Sequence, residues 1–173
     1  MKAMGLLDFV KGKVSAETTE VITFPAILGA ASKGTFVGME QIPDEVFSAG
    51  VLGVCCGIDP DEGKVYAPIS GKISQVADTL HAIGIEAAGI ELLIHVGVDT
   101  VEMNGDGFHP MVKAGQNVKK GELLLTMDLD KIHGAGYPTT VIMAVTNSDD
   151  FSAVESVADG QVDMGDDVLR VSK

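Results

Sequence analysis

An all-β sandwich or barrel is the fold class this sequence predicts, and three observations carry that expectation. From Val21 onward the apolar residues come in short branched runs of strand length rather than in a sustained helical period. Twenty-one glycines punctuate those runs at close intervals, as tight turns between brief strands require. With 46% hydrophobic and only 21% charged residues in 173, and a mean hydropathy of +0.27, the chain can bury one substantial sheet core.

Taken in order, Met1 to Val14 carries Met4, Leu6, Leu7, Val10 and Val14 among lysines, which allows a short amphipathic helix capable of weak membrane-surface contact through residues 1–14. Ser15 to Glu20 lacks apolar periodicity. Residues 1–20 therefore read as a flexible leader and 21–173 as one domain. The expected strands are Val21 to Phe24, Thr35 to Gly38, Val51 to Ile58, Lys64 to Ala67, Gly71 to Val76, Ala82 to Glu86, Ile90 to Val96, Val112 to Lys113, Leu123 to Asp128, Thr140 to Val145, Val154 to Val157 and Val168 to Val171. Between them Asp130-Lys131-Ile132 and Asp149-Asp150-Phe151-Ser152 read as single helical turns with acidic starts. Four polar turns containing Gly34, Gly71, Gly121 and Gly160 each open into a β run, the echo expected of a repeated hammerhead-like corner.

Charge and length narrow the function classes. Twenty-five acidic against twelve basic side chains give a formal charge of -13, which repels nucleic acid and anionic lipid and favours partners with basic docking surfaces. No segment approaches the roughly 20 apolar residues of a membrane span, and no secretory signal opens the chain, so a cytoplasmic protein is expected. Adjacent Cys55 and Cys56 form neither a disulfide framework nor a spaced zinc motif and read as small apolar fillers.

One residue is out of character with its strand. On alternation Ile90, Leu92, Ile94 and Val96 form a clean core face, while Glu91, Leu93, His95 and Gly97 form the other. A titratable ring there needs a partner or a task. Gly97 removes bulk beside it, which would let an incoming group approach. If the run through His81 pairs with the next strand about Ala88, positions summing to 176 lie opposite, and His81 faces His95 directly. Two facing imidazoles support half a metal site, an acid and base pair, or a nucleophile with a neighbouring donor. A neutral imidazole nitrogen can accept a phosphoryl group in line, with a hydroxyl such as Thr79 assisting. The chain has no nucleotide-binding glycine loop, so the phosphate would arrive attached to another molecule.

Gly89 through Val101 closely resembles the phosphorylation-site signature of the glucose-specific enzyme IIA family of the bacterial phosphoenolpyruvate-dependent sugar phosphotransferase system. The resemblance extends through Ile42-Pro43-Asp44-Glu45-Val46-Phe47, Tyr66-Ala67-Pro68-Ile69-Ser70-Gly71, Leu80-His81-Ala82-Ile83, Gly105-Asp106-Gly107-Phe108 and Gly115-Gln116-Asn117-Val118. Met4-Gly5-Leu6-Leu7-Asp8 is similar to the leader of free-standing members, which favours a separate polypeptide. The resemblance implies a compact antiparallel β-sandwich or barrel with Greek-key and hammerhead-like corners, of the duplicated hybrid motif type. It implies a phosphotransferase component with a phosphohistidine at His95, with His81 stabilising and passing on the group, Thr79 and Asp99 in support, and no nucleotide cofactor.

Phosphate would come from the carrier HPr and leave to a cysteine of an enzyme IIB domain during sugar uptake. The resemblance further implies a docking patch at Phe47, Leu52, Leu93, Val96 and Gly97. Regulatory partners among permeases, glycerol kinase and adenylate cyclase would be switched by phosphorylation, and no cofactor is implied beyond an intermolecular zinc bridging His81, His95 and a partner carboxylate. Leu93 and Val96 are aliphatic where relatives often carry phenylalanine.

Overall fold

A computed structural model describes residues 21–173. The expected leader, and the membrane-surface contact expected of it, lie outside the described residues. The strands, numbered along the chain, are β1 (Ala26–Gly29), β2 (Gly34–Val37), β3 (Val54–Pro60), β4 (Lys64–Tyr66), β5 (Gly71–Val76), β6 (Ala82–Ala87), β7 (Ile90–Val96), β8 (Phe108–Pro110), β9 (Asn117–Val118), β10 (Leu123–Met127), β11 (Val141–Val145), β12 (Ala153–Ser156), β13 (Gln161–Val162) and β14 (Asp167–Ser172). An eight-stranded sheet runs β9-β5-β6-β7-β11-β3-β2-β13, beside two three-stranded sheets, β4-β10-β8 and β12-β14-β1. Every described pairing is antiparallel and no sheet closes on itself, so the sandwich is realised and the barrel is not.

The main core gathers Ile90, Leu92, Ile94 and Val96 of β7 with Val141, Met143 and Val145 of β11 and with Leu28, Leu124, Leu125, Leu169 and Val171 from the smaller sheets. A second, smaller cluster lies on the opposite face of the large sheet, where Ile142 and Ala144 of β11 pack with Cys55, Val98, Ile42 and Phe47. β11 is thus buried on both faces, which is why Val-Ile-Met-Ala-Val carries no polar residue. Phe47 belongs to a four-residue helix, α1 (Glu45–Ser48), started by Asp44, whose carboxylate accepts the amide hydrogens of Val46 and Phe47. A second helix, α2 (Leu129–Gly134), is capped the same way by Asp128.

The glycine corners do repeat in space. Ala30 donates to the Asp166 carbonyl while Gly165 donates to that of Ala30, and Ala67 and the pair Gly121 and Glu122 reproduce the exchange. Val118 of β9 stands opposite Gly71 as Val162 of β13 stands opposite Gly34. In two places the expectation moves: the first strand is Ala26–Gly29 rather than Val21 to Phe24, and the strand expected at Val51 to Ile58 is Val54–Pro60. Val112 and Lys113 form no strand, and Phe108–Pro110, Asn117–Val118 and Gln161–Val162 do.

Candidate imidazole-pair site

Strand β7 delivers His95 to the face opposite the main core, between Ala82 of β6 and Ile142 of β11. The hairpin register differs by one from the expected sum of 176. Ala82, not His81, stands opposite His95, because the turn is the two-residue Ala88-Gly89, with φ of 50° and 84°, and its axis falls between those residues. The rings meet all the same. His81 lies just ahead of β6, and its ring approaches that of His95 edge to face at a centroid distance of 4.7 Å and an interplanar angle of 85°. Phe47 closes the third side, its ring 5.0 Å from that of His95.

Each imidazole is held at one nitrogen. His95 Nδ1 donates to the Gly97 carbonyl at 2.8 Å, and since a carbonyl can only accept, the proton sits on Nδ1 and Nε2 keeps its lone pair. His81 Nδ1 is 2.8 Å from the Thr79 hydroxyl. Burial pushes the pKa of His95 below its ordinary value, opposed by the Gly97 bond and the charges of Asp44 and Asp99. Burial also lowers that of His81, reinforced by the neighbouring His95 and opposed by hydrogen bonding at Thr79. Two neutral rings at neutral pH follow. His81 is 7% exposed, whereas His95 is open enough to be reached from solvent.

Gly97 has a different task from the one its size suggested. A Cβ there would lie 2.4 Å from Thr100 Cγ2, so the missing side chain accommodates Thr100 rather than an incoming group. Thr100 is buried and its hydroxyl donates to the Val96 carbonyl. The Gly97 amide donates to the Thr140 carbonyl and the next amide, of Val98, to that of Pro138, which fixes the peptide whose oxygen holds His95. Asp99 lies exposed in a left-handed conformation with φ of 62°, ahead of the turn Thr100–Met103.

The expected docking patch divides. Val96 is fully buried on the core face and cannot meet a partner, as the strand alternation itself requires. Phe47, at 4% exposure, and Gly97 are also buried, so they shape the site from beneath. Leu93 is half-buried on the His95 face, and Leu52 is exposed. Val46 and Val51, exposed at 45% and 70% around α1, extend this apolar surface and were missed from sequence, where Val51 reads as the start of a strand that in fact begins at Val54. Asp44 was missed as well, although a Pro-Asp-Glu start is a recognisable cap signal. The Cys55 thiol points at the Phe47 carbonyl, and burial, with Asp44 nearby, pushes its pKa up to about 11, so it is packing rather than a nucleophile.

These features define a class: a small antiparallel β protein that carries a contacting imidazole pair on an apolar, partly open sheet face. The family model for the phosphoenolpyruvate-dependent sugar phosphotransferase system, EIIA 1, matches residues 26–151, and the chain belongs to that family. It is 44% identical over 131 residues, 75% of its length, to a beta-glucoside-specific EIIBCA component of the phosphotransferase system from Dickeya chrysanthemi, of which it spans only 21%. It is 36% identical over 173 residues to a glucose-specific EIIA component from Halalkalibacterium halodurans, covering 99% of this chain and 96% of that one. The solved glucose permease IIA from Mycoplasma capricolum matches with a TM-score of 0.75 and 33% identity over 83% of this chain and 94% of that one. No helix among the described residues is long and apolar enough to cross a membrane.

Proposed function

We propose that the protein is a phosphoryl carrier of sugar uptake, taking phosphate from the phosphohistidine of HPr onto His95 Nε2 and passing it to a cysteine of an enzyme IIB domain. The Nδ1 bond to Gly97 carries the reading, because it commits the proton to one nitrogen and frees the other. In the first transfer the Nε2 lone pair forms the new N–P bond as the donor's N–P bond breaks. In the second a thiolate forms the S–P bond, and His95 departs as a neutral imidazole because Nδ1 has kept its proton. When the Thr79 hydroxyl donates to His81 Nδ1, the hydrogen of His81 resides on Nε2, available to a phosphoryl oxygen. Phe47 and Leu93 give the N–P bond an apolar flank, and a docked partner would complete the exclusion of water.

Incubation with phosphoenolpyruvate, enzyme I and HPr should add one phosphoryl group, labile in acid and stable in base. His95→Ala should abolish it, and label persisting in that variant would refute the assignment. His81→Ala should still accept phosphate but pass it to IIB about a hundredfold more slowly.

The same surface supports a regulatory reading. About two negative charges placed among Leu52, Leu93 and Val46 would disfavour apolar docking, so permeases, glycerol kinase or adenylate cyclase would distinguish the two states. Zinc would be intermolecular: among the described residues no three potential ligands gather, and a partner would complete any site on the two rings. Exchange of phosphate with HPr would place the protein where HPr is found, the cytoplasm.

A further inference from the structure

The loop that feeds His81 into the sheet holds a residue in an uncommon conformation. Leu80 has φ of 64°, a left-handed backbone that favours glycine or asparagine over a branched apolar residue. Its amide donates to the Ala77 carbonyl at 2.8 Å, closing the turn Ala77 to Leu80, while the Ala77 amide donates to the Ala82 carbonyl at 2.9 Å. His81 is thereby left as an extra residue between turn and ladder, and its carbonyl faces the other way to accept the Val96 amide at 2.8 Å. A turn, a left-handed residue and one residue left out of the β5–β6 ladder make a bulge, a device that re-aims a side chain.

Parity shows what is re-aimed. Ala82 stands opposite His95, so a strand continuing straight back would send the His81 side chain to the core face beside Val96. Its ring instead lies 4.7 Å from that of His95. We propose that the left-handed backbone at Leu80, rather than the leucine side chain, is the positioning element that brings His81 onto the face of His95. This rests on the phosphoryl-carrier reading for its consequence but not for its geometry. The side chain has a separate role: it packs on the main core and over Gly105, where an added Cβ would lie 3.2 Å from Leu80 Cδ1.

Three variants separate backbone from side chain. Leu80→Gly and Leu80→Asn keep the left-handed conformation and delete the packing, whereas Leu80→Val keeps an apolar side chain but resists positive φ. Proton NMR of the unphosphorylated protein should show ring-to-ring Overhauser contacts between His81 and His95 in the wild type, Leu80→Gly and Leu80→Asn, and their loss in Leu80→Val. Transfer from phosphorylated protein to IIB should fall at least about tenfold in Leu80→Val and stay within about twofold in the glycine and asparagine variants. Loss of the ring contacts in Leu80→Gly, or their retention in Leu80→Val, would overturn the inference. Absence of wild-type phosphorylation with the NMR pattern intact would overturn the carrier reading alone.

Discussion

A histidine buried with its proton committed behaves differently from a free one, and the difference reaches stability as well as chemistry. Burial lowers the pKa of both His81 and His95 from the ordinary 6.5. A ring with a lowered folded pKa binds its proton more readily in the unfolded chain, so its contribution is complete above pH 6.5 and shrinks as pH falls from 6.5 toward the folded values. Urea midpoints at pH 7.5 and 5.5 should therefore fall on acidification, and His81→Gln should lessen the fall. An unchanged slope would mean that the pair titrates normally. The lone pair on His95 Nε2 is kept available over the same range, which links the burial that costs acid stability to the proposed role of His95 as nucleophile.

Among the elements, the β6–β7 hairpin does the most to place the site, and its turn is built below its optimum. Ala88 is exposed with φ of 50°, in a turn where both central residues need positive φ. Ala88→Asn should raise stability by about 0.5–1 kcal/mol, measured as an increased urea midpoint, since asparagine tolerates that conformation at less cost. No gain would mean that the turn is not strained by alanine. The strands of this hairpin were legible because their apolar runs are long and their core face is uniform. The register was not: Ala87-Ala88-Gly89 permits a three-residue or a two-residue turn, and only backbone geometry decides between them. The same geometry hid the bulge at Leu80, since leucine gives no local sign of a left-handed backbone. Thr79 could be read from its place beside His81, whereas Gly97 misled, because a glycine's neighbour across space, here Thr100, leaves no mark in sequence.

For the whole molecule, the acidic excess predicts that charge steers encounter with a partner. The formal charge of -13 is carried in part by Asp44 and Asp99, both near enough to His95 to oppose the lowering of its pKa by burial, with Glu45 exposed next to Asp44 at the start of α1. Carboxylates of Asp44 and Glu45 next to the exposed Val46, Val51 and Leu52 would attract a partner with a basic rim, and apolar contact would then exclude water. Steering of this kind acts over about one Debye length, roughly 10 Å at 0.1 M salt, so it weakens as salt is added. The second-order rate constant for phosphoryl transfer from HPr should thus fall steadily between low and high ionic strength, while single-turnover transfer within a preformed complex stays nearly constant. Asp99→Asn should flatten that salt dependence without removing the phosphorylation of His95, because Asp99 is exposed and makes no capping bond at its own helical turn. A rate indifferent to salt in both proteins would show that the acidic excess serves solubility alone and that apolar contact drives the encounter unaided.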